Sequence, residues 1–195
     1  KRDKEKYTEK SIKMLYIIRH AKTDWNELHR LQGRTDIPLN QTGIQMARDA
    51  GAEYREVHFD VCYCSPLSRA VRTAELLEGR GVPIIRDERL VEMGFGEYEG
   101  LANCFQIPDC NIKVLFQRPA DYVPDRGAES LEELFARTGE FLEQVVKPEL
   151  AAGRDILIMG HGAMNSSIIC QVKGLPLERF WENGIPNCKL MTLVK

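Results

Sequence analysis

The chain has 195 residues, which fits one domain of ordinary size. Hydrophobic residues at 43% and charged residues at 29% exclude a disordered or fibrous protein. Lysine plus arginine number 27 and aspartate plus glutamate 29, a formal net charge of −2, which excludes nucleic-acid binding by bulk positive charge. Any anionic ligand must therefore be met by a local cluster of cations.

The first thirteen residues, KRDKEKYTEKSIK, are charged throughout and lack the apolar stretch of a signal peptide. No later run approaches the ~18 apolar residues that span a bilayer. The six cysteines (Cys62, Cys64, Cys104, Cys110, Cys170 and Cys188) include no C-x-x-C pair. Cys62 and Cys64, inside the apolar run DVCYC, read as small core hydrophobes. We expect a cytoplasmic protein with reduced thiols and no membrane or nucleic-acid partner, and leave a homodimer open. Residues 1–13 form a charged tail. Residues 14–195 form a single domain with a lid-like insertion around 101–127.

MLYII (Met14 to Ile18) is a buried-strand candidate that ends at Arg19-His20. A loop rich in Asn, Gly, Asp and Pro follows, and Thr42 then reads as the N-cap of a helix. DVCYC is a second strand, and Ser65-Pro66 opens a second helix through Glu78. VPIIR is a third strand, followed by the acidic loop DERLVEMGFGEYEG. Leu101 to Gly127, with three prolines and two cysteines, has little helical pattern and suits an irregular lid. Ser130-x-x-Glu133 is a capping box, and apolar residues from Leu131 to Val145 recur at helical spacing. DILIM is a strand ending in Gly160-His161-Gly162, before a helix that Gly174 and Pro176 stop. KLMTLV is a last strand. Strands alternating with long helices imply an α/β fold with a mostly parallel sheet.

Two histidines stand directly after strands, His20 after the first and His161 after DILIM. Sites in open α/β sheets form at the carboxyl ends of strands, so both rings can reach one crevice. Position alone equally allows two unrelated loop histidines. Arg19 beside His20, and Arg69 in SPLSRAVRTAE after the second strand, make a phosphate or carboxylate pocket the better reading. Glu92 in LVEMGFGEYEG is either a general acid, its pKa raised beside a phosphate, or one of several carboxylates solvating a loop. Spacing does not choose between these.

The segment RHAKTDWNELHRLQGRTDIPLNQTG resembles the signature of the histidine phosphatase superfamily, in its phosphoglycerate mutase-like branch. SPLSRAVRTAE, LVEMGFGEYEG, RGAES and MGHGA continue the match in the family's order. The resemblance is nearest to broad-specificity and α-ribazole phosphatase members. It implies a three-layer α/β/α sandwich, with His20 as the nucleophile that forms a phosphohistidine. It also implies that Arg19, Arg69 and His161 hold the phosphoryl oxygens and that Glu92 is the acid. Thr23, Asn26, Gln32 and the backbone of Gly162 fall where the family places further phosphate contacts. No metal and no cofactor are implied. One departure is Ala21 where the family has glycine, which puts in doubt a turn needing positive φ. Another is Lys22 where an acid is common.

Three activities compete: a phosphatase for a small phosphorylated metabolite, a phosphoglycerate mutase, and a silent phospholigand-binding protein. The 101–127 insertion holds only Lys113, Arg118 and Arg126, little positive charge for retaining a doubly phosphorylated intermediate. That and the chain's length favour hydrolysis. Retention of His20, Glu92 and His161 weighs against a silent fold. Phe95, Phe105, Phe116 and Tyr122 are candidates to pack a leaving group, with core as the rival reading.

Overall fold

The computed structural model describes residues 13–77 and 81–194, so residues 1–12 of the charged tail and Glu78 lie outside the description. Among the described residues there are five strands: β1 (Leu15–Arg19), β2 (Val61–Cys64), β3 (Ile84–Arg86), β4 (Ile156–Gly160) and β5 (Leu190–Val194). They form one sheet in the order β3-β2-β4-β1-β5, parallel except for β5. Seven α-helices among the described residues accompany them: α1 (Asp24–Glu27), α2 (Gln41–Glu53), α3 (Ser68–Leu77), α4 (Ile112–Gln117), α5 (Leu131–Phe141), α6 (Lys147–Ala151) and α7 (Gly162–Lys173).

The central strands read as apolar runs because both sheet faces are covered. Alternate residues feed two separate cores. Leu15, Ile17, Val61, Tyr63, Ile156 and Ile158 pack under α5 and α7. Ile18, Cys62, Cys64, Leu157 and Met159 pack under α2 and α3. This is the expected three-layer sandwich, and it holds Cys62 and Cys64 as buried, unbridged thiols.

Local sequence sets the helix ends. Ser130 and Glu133 form the expected capping box, with Ser130 Oγ accepting from Glu133 N at 3.0 Å. Gly174 ends α7 in the left-handed conformation, φ 63°. Three details differ from the sequence reading, the first being that the second helix begins at Ser68 and not at Ser65-Pro66. The N-cap of α2 is Asn40, not Thr42, because its Oδ1 reaches the Gly43 N–H at 2.8 Å. The long helix widens into a π-turn over Leu142–Val146 before α6, where Pro148 has no N–H to continue the ladder.

The 101–127 segment is less irregular than expected. It contains α4, and Cys104, Cys110, Ile112, Leu115 and Tyr122 are buried in the core shared with β1 and β4. No helix among the described residues is long and apolar enough to cross a membrane. At the start of the parallel strands, Asp60 Oδ2 accepts from Asp155 N at 2.7 Å and Asp155 Oδ1 from Met14 N at 2.9 Å, stitching three strands together. His20 and His161 lie at the other end, after β1 and β4.

Candidate active site

Register brings the two histidines together. β1 and β4 are parallel neighbours with Arg19 opposite Gly160, so the residues that follow, His20 and His161, emerge side by side. Their ring centroids are 5.1 Å apart. His20 N–H also donates to Gly160 O at 2.9 Å, extending the ladder one residue past the strands.

His20 is 2% exposed, and its Nδ1 lies 2.6 Å from Ala21 O. A carbonyl only accepts, so Nδ1 carries the proton and Nε2 keeps a lone pair. Burial, then the charges of Arg69 and Arg19, holds its pKa well below the ordinary histidine range. His20 is thus a neutral imidazole with an available nitrogen. Ala21 is absent from the positive-φ residues, so the methyl group is accommodated without strain. Its N–H donates to Thr73 Oγ1 at 3.0 Å.

Arg69, early in α3, is fully buried and held by two carbonyls: Nη1 to Thr35 O at 2.9 Å and Nη2 to Gly33 O at 2.6 Å. Gly33 sits at φ 54°, and a Cβ there would collide with the Glu99 carboxylate. Glu99 in turn accepts from Arg34 N at 3.0 Å and Thr35 N at 2.9 Å. The loop that anchors Arg69 is therefore itself fixed. Burial lowers the Arg69 pKa to about 10, still charged at neutral pH. Arg19 is lowered for the same reason.

Arg19 Nε, Arg69 Nε and His161 Nδ1 are buried and have no hydrogen-bond partner among the described residues. Buried donors are nearly always paired in native proteins. Three on residues clustered about one neutral imidazole make a ready receptor for anionic oxygens.

Glu92 lies against the start of α7, 7% exposed. Its Oε2 accepts from Gly162 N at 2.9 Å and Ala163 N at 3.2 Å, and Oε1 from Met164 N at 2.9 Å and Met93 N at 2.8 Å. Of the two readings left open, a carboxylate solvating an exposed loop is thereby excluded. The Gly162 N–H, expected as a phosphate contact, is already engaged by Glu92.

Together with His20, Asn26 and Gln32 line a cleft of about 240 Å³ with Arg19, Arg69, Glu92 and Gly162. Thr23 stands one layer back: it is fully buried, caps α1 and donates to Gln32 Oε1 at 2.7 Å. His161 is fully buried beside His20, the ring centroids 5.1 Å apart. Phe95 and Phe116 line the cleft, whereas Phe105 lines an adjoining outer cavity of about 710 Å³ that Lys22 also borders. Tyr122 belongs to the core.

The sequence reading missed four participants. Ser65 Oγ meets His161 Nε2 at 2.7 Å. Asn187 Nδ2 donates to His20 O at 2.6 Å. Arg137 binds the backbone below Glu92. Trp181 stacks on Phe116 at the cleft, centroids 5.2 Å apart. Ser65 alone had a local signal, its place directly after a strand.

A fold of this topology with cations and paired imidazoles at the strand ends defines an α/β enzyme that handles an anionic group. The chain belongs to the histidine phosphatase superfamily (branch 1), whose model matches residues 15–194. It is similar to phosphoserine phosphatase 1 of Hydrogenobacter thermophilus, 29% identical over 89% of this chain and 82% of the relative. A 2,3-bisphosphoglycerate-dependent phosphoglycerate mutase of Cytophaga hutchinsonii is 34% identical over 76% of this chain and 72% of its own. The solved structure of Bacillus stearothermophilus YhfR superposes with a TM-score of 0.83 at 30% identity, covering 92% of this chain and 90% of that one. Family and relatives make the chain a phosphoric monoester hydrolase.

Proposed function

We propose that the chain hydrolyses small phosphorylated metabolites through a phosphohistidine on His20, without a metal. The observation that carries this is the neutral His20, its Nδ1 committed to Ala21 O, beside three buried nitrogens without partners. The Nε2 lone pair of His20 attacks phosphorus as the bond to the ester oxygen breaks. The proton that the phosphate monoanion brings passes by way of Glu92 to that oxygen, and the alcohol leaves. Water then attacks the phosphohistidine, Glu92 takes its proton, and Nε2 departs with the electron pair. Arg19, Arg69 and His161 donate to the phosphoryl oxygens, a role in which each donor contributes about 3–4 kcal/mol to the transition state. Asn26 and Gln32 complete the pocket, with Thr23 orienting Gln32. The two arginines supply the charge neutralisation that Mg²⁺ gives other phosphoryl-transfer sites.

We read residues 14–195 as one cytoplasmic catalytic domain with 101–127 as its lid. The mutase relative keeps phosphoryl transfer back to substrate as the alternative. A panel of phosphorylated metabolites assayed with EDTA, including 3-phosphoglycerate with and without 2,3-bisphosphoglycerate, tests the reading. Hydrolysis that survives EDTA supports it. Transfer outpacing hydrolysis, or loss of activity on chelation, overturns it.

A further inference from the structure

Resting on that reading of the site, the structure assigns a role to a residue outside it. We propose that Ser65 is a positioning residue whose hydroxyl proton, donated to His161 Nε2, fixes the tautomer that presents Nδ1–H to the phosphoryl group.

Ser65 follows β2 directly and is fully buried, as is His161. The separation of Ser65 Oγ from His161 Nε2 is 2.7 Å. The same Oγ accepts from the Leu67 N–H at 3.3 Å. A serine hydroxyl has one proton and two lone pairs. With one lone pair taken by Leu67, two arrangements remain. If His161 Nε2–H donated, both lone pairs would be filled and the serine proton would be left without an acceptor, a cost of about 1–3 kcal/mol in a buried site. If Ser65 donates, its proton and His161 Nε2 satisfy each other, and the one polar hydrogen of the pair left for a ligand is the imidazole's own. The second arrangement leaves the imidazole proton on Nδ1, the atom that has no protein partner.

Burial, with the charges of Arg69 and Arg19, keeps His161 from taking a second proton at neutral pH. Its backbone is held as well: His161 N–H donates to Asn165 Oδ1 at 3.2 Å, and Asn165 Nδ2 to Ile18 O at 3.1 Å. The two rings are therefore set to opposite purposes. Ala21 O takes the Nδ1 proton of His20 and leaves a nucleophile; Ser65 fills the Nε2 of His161 and leaves a donor. One carbonyl and one hydroxyl make that difference.

The test is ¹⁵N–¹H correlation of the histidine rings in the unmodified, ¹⁵N-labelled protein at neutral pH. His20, His29, His58 and His161 signals are assigned by single substitution. The expected His161 pattern is a protonated Nδ1 and an unprotonated Nε2. A protonated Nε2, or a doubly protonated ring, overturns the proposal. In Ser65→Ala the two tautomers mix and the inhibition constant of inorganic phosphate rises about three- to tenfold, the worth of one neutral hydrogen bond. Ser65→Thr, which keeps the hydroxyl, restores both. Unchanged tautomer and phosphate affinity in Ser65→Ala equally overturn it. The ring spectrum does not depend on turnover, so it fails separately from the phosphohistidine reading, which His20→Ala judges.

Discussion

The Glu92 carboxylate accepts the Gly162 N–H at 2.9 Å and so occupies the N-terminus of α7, the place where a helix binds an anion. A substrate phosphoryl group and the Glu92 carboxylate therefore compete for the same positive end. Removing the carboxylate in Glu92→Ala should tighten inorganic phosphate binding by about three- to tenfold, the scale of a helix-terminus charge effect. Competitive inhibition or calorimetry reads this. Weaker phosphate binding in the variant would show that Glu92 supports the anion site instead of competing for it.

As proton donor, Glu92 matters in proportion to the basicity of the leaving group. Glu92→Gln should slow hydrolysis of alkyl phosphates by about 10²–10⁴-fold and of nitrophenyl phosphate far less. Comparing kcat/KM across leaving groups of graded pKa checks it. Equal losses on all would count against Glu92 as the acid.

Arg137 lies beneath this carboxylate. Its Nη1 donates to Arg89 O at 2.7 Å and Val91 O at 2.8 Å, and its Nη2 to Glu92 O at 3.2 Å. Its Nε pairs with Glu129 at 2.7 Å, and Glu129 in turn accepts Gly94 N–H at 3.0 Å. Arg137→Met leaves the Glu129 carboxylate with only Arg34 Nη2 at 3.2 Å and the Gly94 N–H, and should cost about 1.5–3 kcal/mol, read by urea denaturation. It should also reproduce, more weakly, the leaving-group pattern of Glu92→Gln. A stable variant with unaltered leaving-group dependence would leave Arg137 a purely structural residue.

Two histidines held neutral set the acid response. In the folded chain His20 and His161 have pKa values well below the ordinary range, while the unfolded chain protonates both near pH 6.5. Below about that pH the unfolded state binds more protons, so stability falls as pH falls until the folded pKa values are reached. Above it the two groups contribute no slope. Each histidine adds up to about 1.4 kcal/mol per pH unit inside the window. Denaturant titrations between pH 7.5 and 5 measure this, and His161→Asn should flatten the slope. An unchanged slope in that variant would refute the assignment.

Trp181 and Phe116 form the apolar side of the cleft, and Trp181 Nε1 is tied to Leu115 O at 2.7 Å. Trp181→Ala should lower kcat/KM for aryl phosphates by up to about tenfold relative to glycerol phosphate, the scale of one aromatic contact. A parallel loss on both substrates would place the pair in the core alone.

Much of this was legible in the sequence because it rests on local rules. His20 and His161 each follow an apolar run, and parallel pairing of those runs sets the rings side by side. Ser130 and Glu133 announce their helix within four residues. What was not legible depends on contacts across long stretches of chain. Glu92 finds the start of α7 some seventy residues away, and nothing around Gly162 shows that its N–H is already taken. Arg137 and Asn187 act through the backbone of distant loops, an interaction without a sequence signature. The 101–127 segment looked irregular because its buried residues are spread over short turns with no common period.

The most direct measurement is rapid acid-free quenching of the enzyme with a ³²P-labelled phosphomonoester, followed by mapping of the protein-bound label. The account predicts an acid-labile, base-stable phosphoramidate on Nε2 of His20, absent in His20→Ala together with turnover. Turnover that persists in His20→Ala, or label carried on another residue, would contradict it.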